Sequence, residues 1–133
     1  MTRRAFTLTE VLVTVAIIGI MAGAAMPQFA RTMERSYFRE AETLLLTTYA
    51  GEQVFFTLND TYYAPGVWSN IYMDDPNLAG IPVSFTAAAA GFGAAATFTG
   101  TAQRTGGGLC NGRTLTINQT RTFGGTWSTC PGL

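Results

Sequence analysis

Read for its apolar and polar positions, the chain changes character at Pro27. From Val11 to Met26, sixteen consecutive residues carry no charge. The apolar stretch from Phe6 to Met26 covers 21 residues, about 31 Å at the helical rise, which matches the hydrocarbon thickness of a bilayer. After Pro27 the pattern turns amphipathic. Phe29, Met33, Tyr37, Ala41, Leu44 and Leu45 recur at helical spacing, while Arg31, Glu34, Arg35, Arg39, Glu40 and Glu42 take the other faces. One helix from about Phe6 to Phe56, roughly 75 Å long, accounts for both halves. Its weak point is Gly23 to Pro27, where the proline removes a donor and crowds the preceding turn. Gly19 and Gly23 form a G-x-x-x-G, which reads either as a close-packing face or as incidental small residues in a segment open to local unwinding.

The helix is expected to end near Asn59-Asp60. A connecting loop over 57–80 follows, with turns at Pro65-Gly66, Asp74-Asp75-Pro76-Asn77 and Ala79-Gly80. Tyr62, Tyr63, Trp68 and Tyr72 are too many aromatics for a disordered linker, so this loop should pack on the domain. From Ile81 the periodicity shortens to strands at Ile81–Thr86, Ala95–Thr101, Arg113–Asn118 and Thr120–Thr126, separated by glycine turns. Ala87–Ala90 reads as a surface loop between flanking glycines. The fold class that follows is α+β: a long N-terminal helix packed through its second half on a small antiparallel sheet of three to four strands over 81–126.

Composition adds limits. The 133 residues allow one compact domain plus an extended segment. The chain has no His, and its eight basic residues, all Arg, balance eight acids. Nothing here reads as a general nucleic-acid surface. Without His, Lys or paired carboxylates in a pocket motif, no enzyme signal emerges and no cofactor is expected. Asp60, Asp74 and Asp75 lack the spacing of a calcium loop and read as turn formers, so no metal site is expected. Cys110 and Cys130 have no CxxC spacing and no His with which to complete a zinc site. A disulfide is the better reading, closing a loop of roughly 20 residues and contributing on the order of 3 kcal/mol; two buried free thiols are the alternative.

The N-terminus admits three readings. Arg3 and Arg4 precede the apolar run and hold that end on the cytoplasmic side. A cleavable secretory signal has Ala22-Gly23-Ala24 as its small-x-small site, and a plain single-span anchor is the second reading. Neither gives a reason for Glu10, a carboxylate inside the apolar segment that costs roughly 2.5 to 3.5 kcal/mol on insertion scales.

The run Phe6-Thr7-Leu8-Thr9-Glu10, the short basic leader before it and Pro27 beyond it resemble the type IV pilin and pseudopilin family. The resemblance implies that 1–5 is a leader, that 6–27 is a membrane-spanning and filament-core helix, and that 28–133 is a globular head with its amphipathic helix over 28–56. It implies cleavage between Ala5 and Phe6 by a membrane-embedded peptidase and methylation of the Phe6 amine. Ala5 departs from the family's usual Gly, and its extra methyl crowds a close approach. With the leader gone, six Arg face eight acids, a side-chain balance of −2.

On a helix, Glu10 would sit one turn from Phe6 on the same face, and in a bundle of identical subunits it would meet the Phe6 ammonium of a neighbour. The alternative is a carboxylate that snorkels to the interface. The implied partners are other copies or other pilins, a prepilin peptidase, an inner-membrane platform with its ATPase, and the membrane before assembly. The region 110–130 resembles the family's C-terminal disulfide-bounded loop. Arg113, Arg121 and Trp127 within it are candidates for touching a receptor, a surface or DNA, against a simpler reading as a pinned last strand. Asn118-Gln119-Thr120 is a sequon. The expected function is a pilus subunit serving adhesion, motility or DNA uptake. The alternatives are a pseudopilin of a type II secretion system, disfavoured because no acid follows Asp75, and a secreted binding domain.

Overall fold

The computed structural model describes residues 6–64, 66–131 and 133. Its dominant element is α1, Leu8–Asn59, 52 residues long. Thr7 is the N-cap in extended backbone, φ −80° and ψ 150°. At the other end Asp60 takes the left-handed conformation, φ 54°, and its N–H closes on the Phe56 carbonyl at 2.9 Å. A short polar side chain tolerates that geometry.

Pro27 lies inside α1, and the helix runs unbroken across Gly23 and Pro27; the break expected there is not seen in the single chain. Proline deletes one donor, and one missing bond amid Ala22, Ala24, Ala25 and Met26, mostly good helix formers, does not end a helix this long.

Two 3-10 turns, Trp68–Ile71 and Pro76–Leu78, fold the connecting segment back on the domain. Tyr62 stacks on Phe56 at 4.7 Å and meets Phe98 at 5.1 Å, while Tyr63 packs on Phe55 at 5.3 Å. Tyr72 departs from the expected packing and stands exposed. Asp75 caps the second turn, its carboxylate accepting the Asn77 N–H at 2.9 Å, which agrees with its reading as a turn former.

The sheet contains β1 (Val83–Ala90), β2 (Thr97–Arg104), β3 (Thr114–Asn118) and β4 (Phe123–Gly125), antiparallel and in chain order. Ala87–Ala90, expected as a loop, is the second half of β1 and pairs with Thr97–Gly100. Alanine's weak strand preference yields here to cross-strand pairing with Thr97, Phe98 and Thr99, and the reversal falls instead on Gly91, φ 82°.

The core lies between α1 and the sheet. Ala41 and Leu45 of the helix meet Val83, Phe85, Phe98, Ala102, Leu115 and Ile117. Gly100 makes the approach possible: a β-carbon there would lie 3.2 Å from Ile117 and 3.3 Å from Leu45. Trp127 is fully buried and meets Phe38 edge to face at 5.7 Å. It is therefore no exposed stacking platform, contrary to its candidacy for ligand contact. Cys110 and Cys130 are joined by a disulfide with Cα atoms 5.7 Å apart, and both are buried. The bridge holds the final turn, Trp127–Thr129, against the domain.

Candidate functional site

Two parts of the molecule depart from ordinary apolar packing: a stem left uncovered and a buried ion pair at its junction with the head. The first is the N-terminal half of α1. Every residue from Phe6 to Thr32 is exposed, including Leu12, Val13, Ile17, Ile18, Ile20 and Met21. This helix is long and apolar enough to cross a membrane, and none of its apolar window is buried. Each such side chain, once covered, returns about 1.5–3 kcal/mol. A stem with this composition has its partner outside the chain.

At its tip the polar groups form a capping box. The Glu10 carboxylate accepts the Thr7 N–H and the Thr7 hydroxyl, both at 2.9 Å, and the Glu10 N–H donates to the Thr7 hydroxyl oxygen at 3.3 Å. This corrects the expected stacking of Phe6 over Glu10. Thr7 leaves the helical path as N-cap, so Phe6 lies ahead of the helix and not one turn below Glu10. The remaining Glu10 oxygen accepts nothing among the described residues and stays available to an external donor. Ala5, the other member of the expected cleavage site, and the basic leader 1–5 lie outside the described residues.

The second part is the junction of stem and head. Glu34, read from the sequence as part of a polar face, is buried, and so is Arg104 at the end of β2. The guanidinium grips the carboxylate through two bonds, Nε to Oε2 at 3.0 Å and Nη2 to Oε1 at 2.9 Å. Its other donors reach the carbonyls of Pro82 at 3.1 Å, Gly107 at 3.3 Å and Thr105. Tyr37 lies beneath it, 4.9 Å from ring centroid to guanidinium. A β-carbon on Gly108 would strike the Glu34 carboxylate, so the 105–108 loop closes over the pair only with glycine there. Through one side chain, the stem, the end of β2 and the segment leading to Cys110 are held in a single arrangement.

Glu52 ties the upper stem to the connecting loop. It is fully buried, with one oxygen accepting the Tyr63 N–H at 2.8 Å and the other without a partner. Burial pushes its carboxyl up to about 7, against the opposing pull of the Tyr63 N–H. The residue before it, Gly51, has no room for a side chain, because a β-carbon would collide with the Ile71 carbonyl.

Within 110–130, Arg121 is exposed in left-handed backbone, φ 59°, and Arg113 is half-buried; the two are not brought together with an exposed aromatic. Among the described residues no group of three His, Cys, Asp or Glu is placed to hold a metal.

The first 26 residues match the family described as the prokaryotic N-terminal methylation motif. Over 59 residues the chain is 44% identical to the type IV major pilin protein PilA of Myxococcus xanthus (strain DK1622), a match covering 44% of this chain. The alignment spans 27% of that protein's length. No solved structure matches the chain.

Proposed function

We propose that this chain is a type IV pilin-like, non-enzymatic filament subunit which polymerises through α1, a reading supported by its N-terminal methylation motif and its likeness over 59 residues to a major pilin. The observation that carries this reading is the fully exposed apolar stem joined without a break to a folded head. A disposable signal needs no such continuity, and a plain anchor needs no carboxylate at its tip.

In this account the leader 1–5 holds the N-terminus on the cytoplasmic side and is removed between Ala5 and Phe6. The stem waits in the inner membrane, and a peptidase and an ATPase-driven platform act on it. On extraction, the apolar residues from Leu8 to Met26 are covered by the stems of other subunits. The methylated Phe6 amine of one subunit then faces the Glu10 oxygen that the Thr7 cap leaves unused. An unpaired charge in such a core costs several kcal/mol, which selects the stagger that pairs it. Gly23 and Pro27 mark the segment of α1 best suited to open when stems pack. One of its backbone donors, that of Pro27, is already missing, and nothing lies within 4 Å of where a β-carbon on Gly23 would stand.

Two substitutions separate charge from capping. Glu10→Gln keeps an acceptor for the Thr7 N–H and removes the charge. It should leave membrane levels normal while the chain disappears from sheared, sedimented filaments, as should Glu10→Ala. Normal filament yield from Glu10→Gln would refute the charge pair. Absence of the wild-type chain from filaments would refute a major-subunit role.

A further inference from the structure

A strip of cations and an anionic groove lie on opposite flanks of α1, and neither is used inside the chain. Arg31, Arg35 and Arg39 recur every four residues, all exposed. Among the described residues the ion pair is Arg104–Glu34, so the three carry no carboxylate partner. On the other flank, Leu44 and Thr47 of α1 form a groove with Ser69, Tyr72, Met73 and Asp74 of the connecting loop. Tyr72 is held in left-handed backbone, φ 60°, with 66% of its surface exposed. A bulky residue rarely adopts that conformation, and strain of this kind gathers at contact sites. Asp74 makes no hydrogen bond and no ion pair among the described residues. An aromatic face beside a free carboxylate is the setting that suits a guanidinium.

We propose that the Tyr72/Asp74 groove of one copy receives the Arg35/Arg39 face of a second copy, giving the chain both halves of a head-to-tail contact. This rests on the filament reading and adds the head surfaces that join. From Arg35 to Leu44 is nine residues, about two and a half turns, which places strip and groove on opposite sides of the helix. The sheet-facing stripe of Glu34, Ala41, Leu45, Thr48 and Glu52 runs between them. A contact whose two halves lie on opposite flanks does not close as a two-fold dimer. It repeats, and with an axial offset it gives an open helical array. The offset from Arg35 to Leu44 and Thr47 is roughly 14–18 Å along the axis.

Charge complementarity favours a second copy over a lipid surface. The strip extends about 12 Å along the helix axis. A helix that spans the membrane would therefore present only Arg31 to the headgroups and carry Arg35 and Arg39 away from them.

The test is charge exchange in the full chain, expressed in cells that assemble it and lack the wild-type copy. Arg35→Glu with Arg39→Glu should cut filament yield at least tenfold at unchanged membrane level, and so should Asp74→Arg. Combining the three should restore at least half of the wild-type yield, since every subunit then offers the exchanged pair. Wild-type yield from either charge-reversed protein, or no recovery in the combined one, would overturn the proposal. Filament yield unchanged while the arginine variant leaves phosphatidylglycerol vesicles would assign the strip to lipid and overturn it equally. A wild-type chain absent from filaments would instead remove the underlying subunit reading.

Discussion

Removing the Glu34 carboxylate should be the most damaging single change in the head. Arg104 is 3% exposed, and two of its donors, Nε and Nη2, end on Glu34 at 3.0 and 2.9 Å. In Glu34→Ala the guanidinium keeps the carbonyls of Pro82, Thr105 and Gly107 but loses its counter-charge in a site closed to water. Breaking one side of such a pair costs about 3–5 kcal/mol, and in a head of this size that lowers the unfolding midpoint by roughly 10 °C or more. Replacing both partners, Glu34→Met with Arg104→Met, removes the desolvation cost together with the attraction and should fall within about 1–2 kcal/mol of wild type. Thermal unfolding of the full chain in detergent, followed by circular dichroism, reads both. A Glu34→Ala midpoint close to wild type, or a double variant worse than the single ones, would refute the view that an uncompensated buried charge sets the loss.

Three further expectations follow from the same contacts. Reducing the Cys110–Cys130 bond should cost about 2–5 kcal/mol and free the final turn, visible as faster amide exchange around the buried Trp127. Glu52 ionises near 4.5 unfolded and near 7 folded, so its contribution is whole below pH 4.5 and fades as pH rises through 7, a loss approaching about 3 kcal/mol. Glu52→Gln should flatten that slope in unfolding measured between pH 4 and pH 8; an unchanged slope would contradict it. Gly51→Ala should destabilise by about 1–3 kcal/mol, since its new methyl meets the Ile71 carbonyl.

The stem was legible because sixteen uncharged residues in one run leave few alternatives, and the helix end because Asn59-Asp60 suits a left-handed stop. The ion pair was hidden by reading charge as exposure. Its members sit on two periodic faces that were open to view. Glu34 lies seven residues before Ala41 on the buried stripe, and Arg104 continues the inward alternation of Phe98, Gly100 and Ala102. What no local pattern carries is that two residues 70 apart meet. Of the two readings open for Trp127, ligand contact and a pinned C-terminal segment, burial against Phe38 beside the disulfide of Cys130 agrees with the second. The Thr7-x-x-Glu10 spacing is itself a capping signature, and it competes with the Phe6–Glu10 stacking that the helical period predicts. Ala87–Ala90 shows composition yielding to register.

The central claim is that the exposed stem is a processed filament core, and the N-terminal residue of the chain recovered from sheared surface material tests it most directly. Mass spectrometry should find N-methylated Phe6. A chain beginning at Ala25 would mean the stem is a discarded signal, and one retaining Met1 to Ala5 would mean it is an unprocessed anchor; either result contradicts the account.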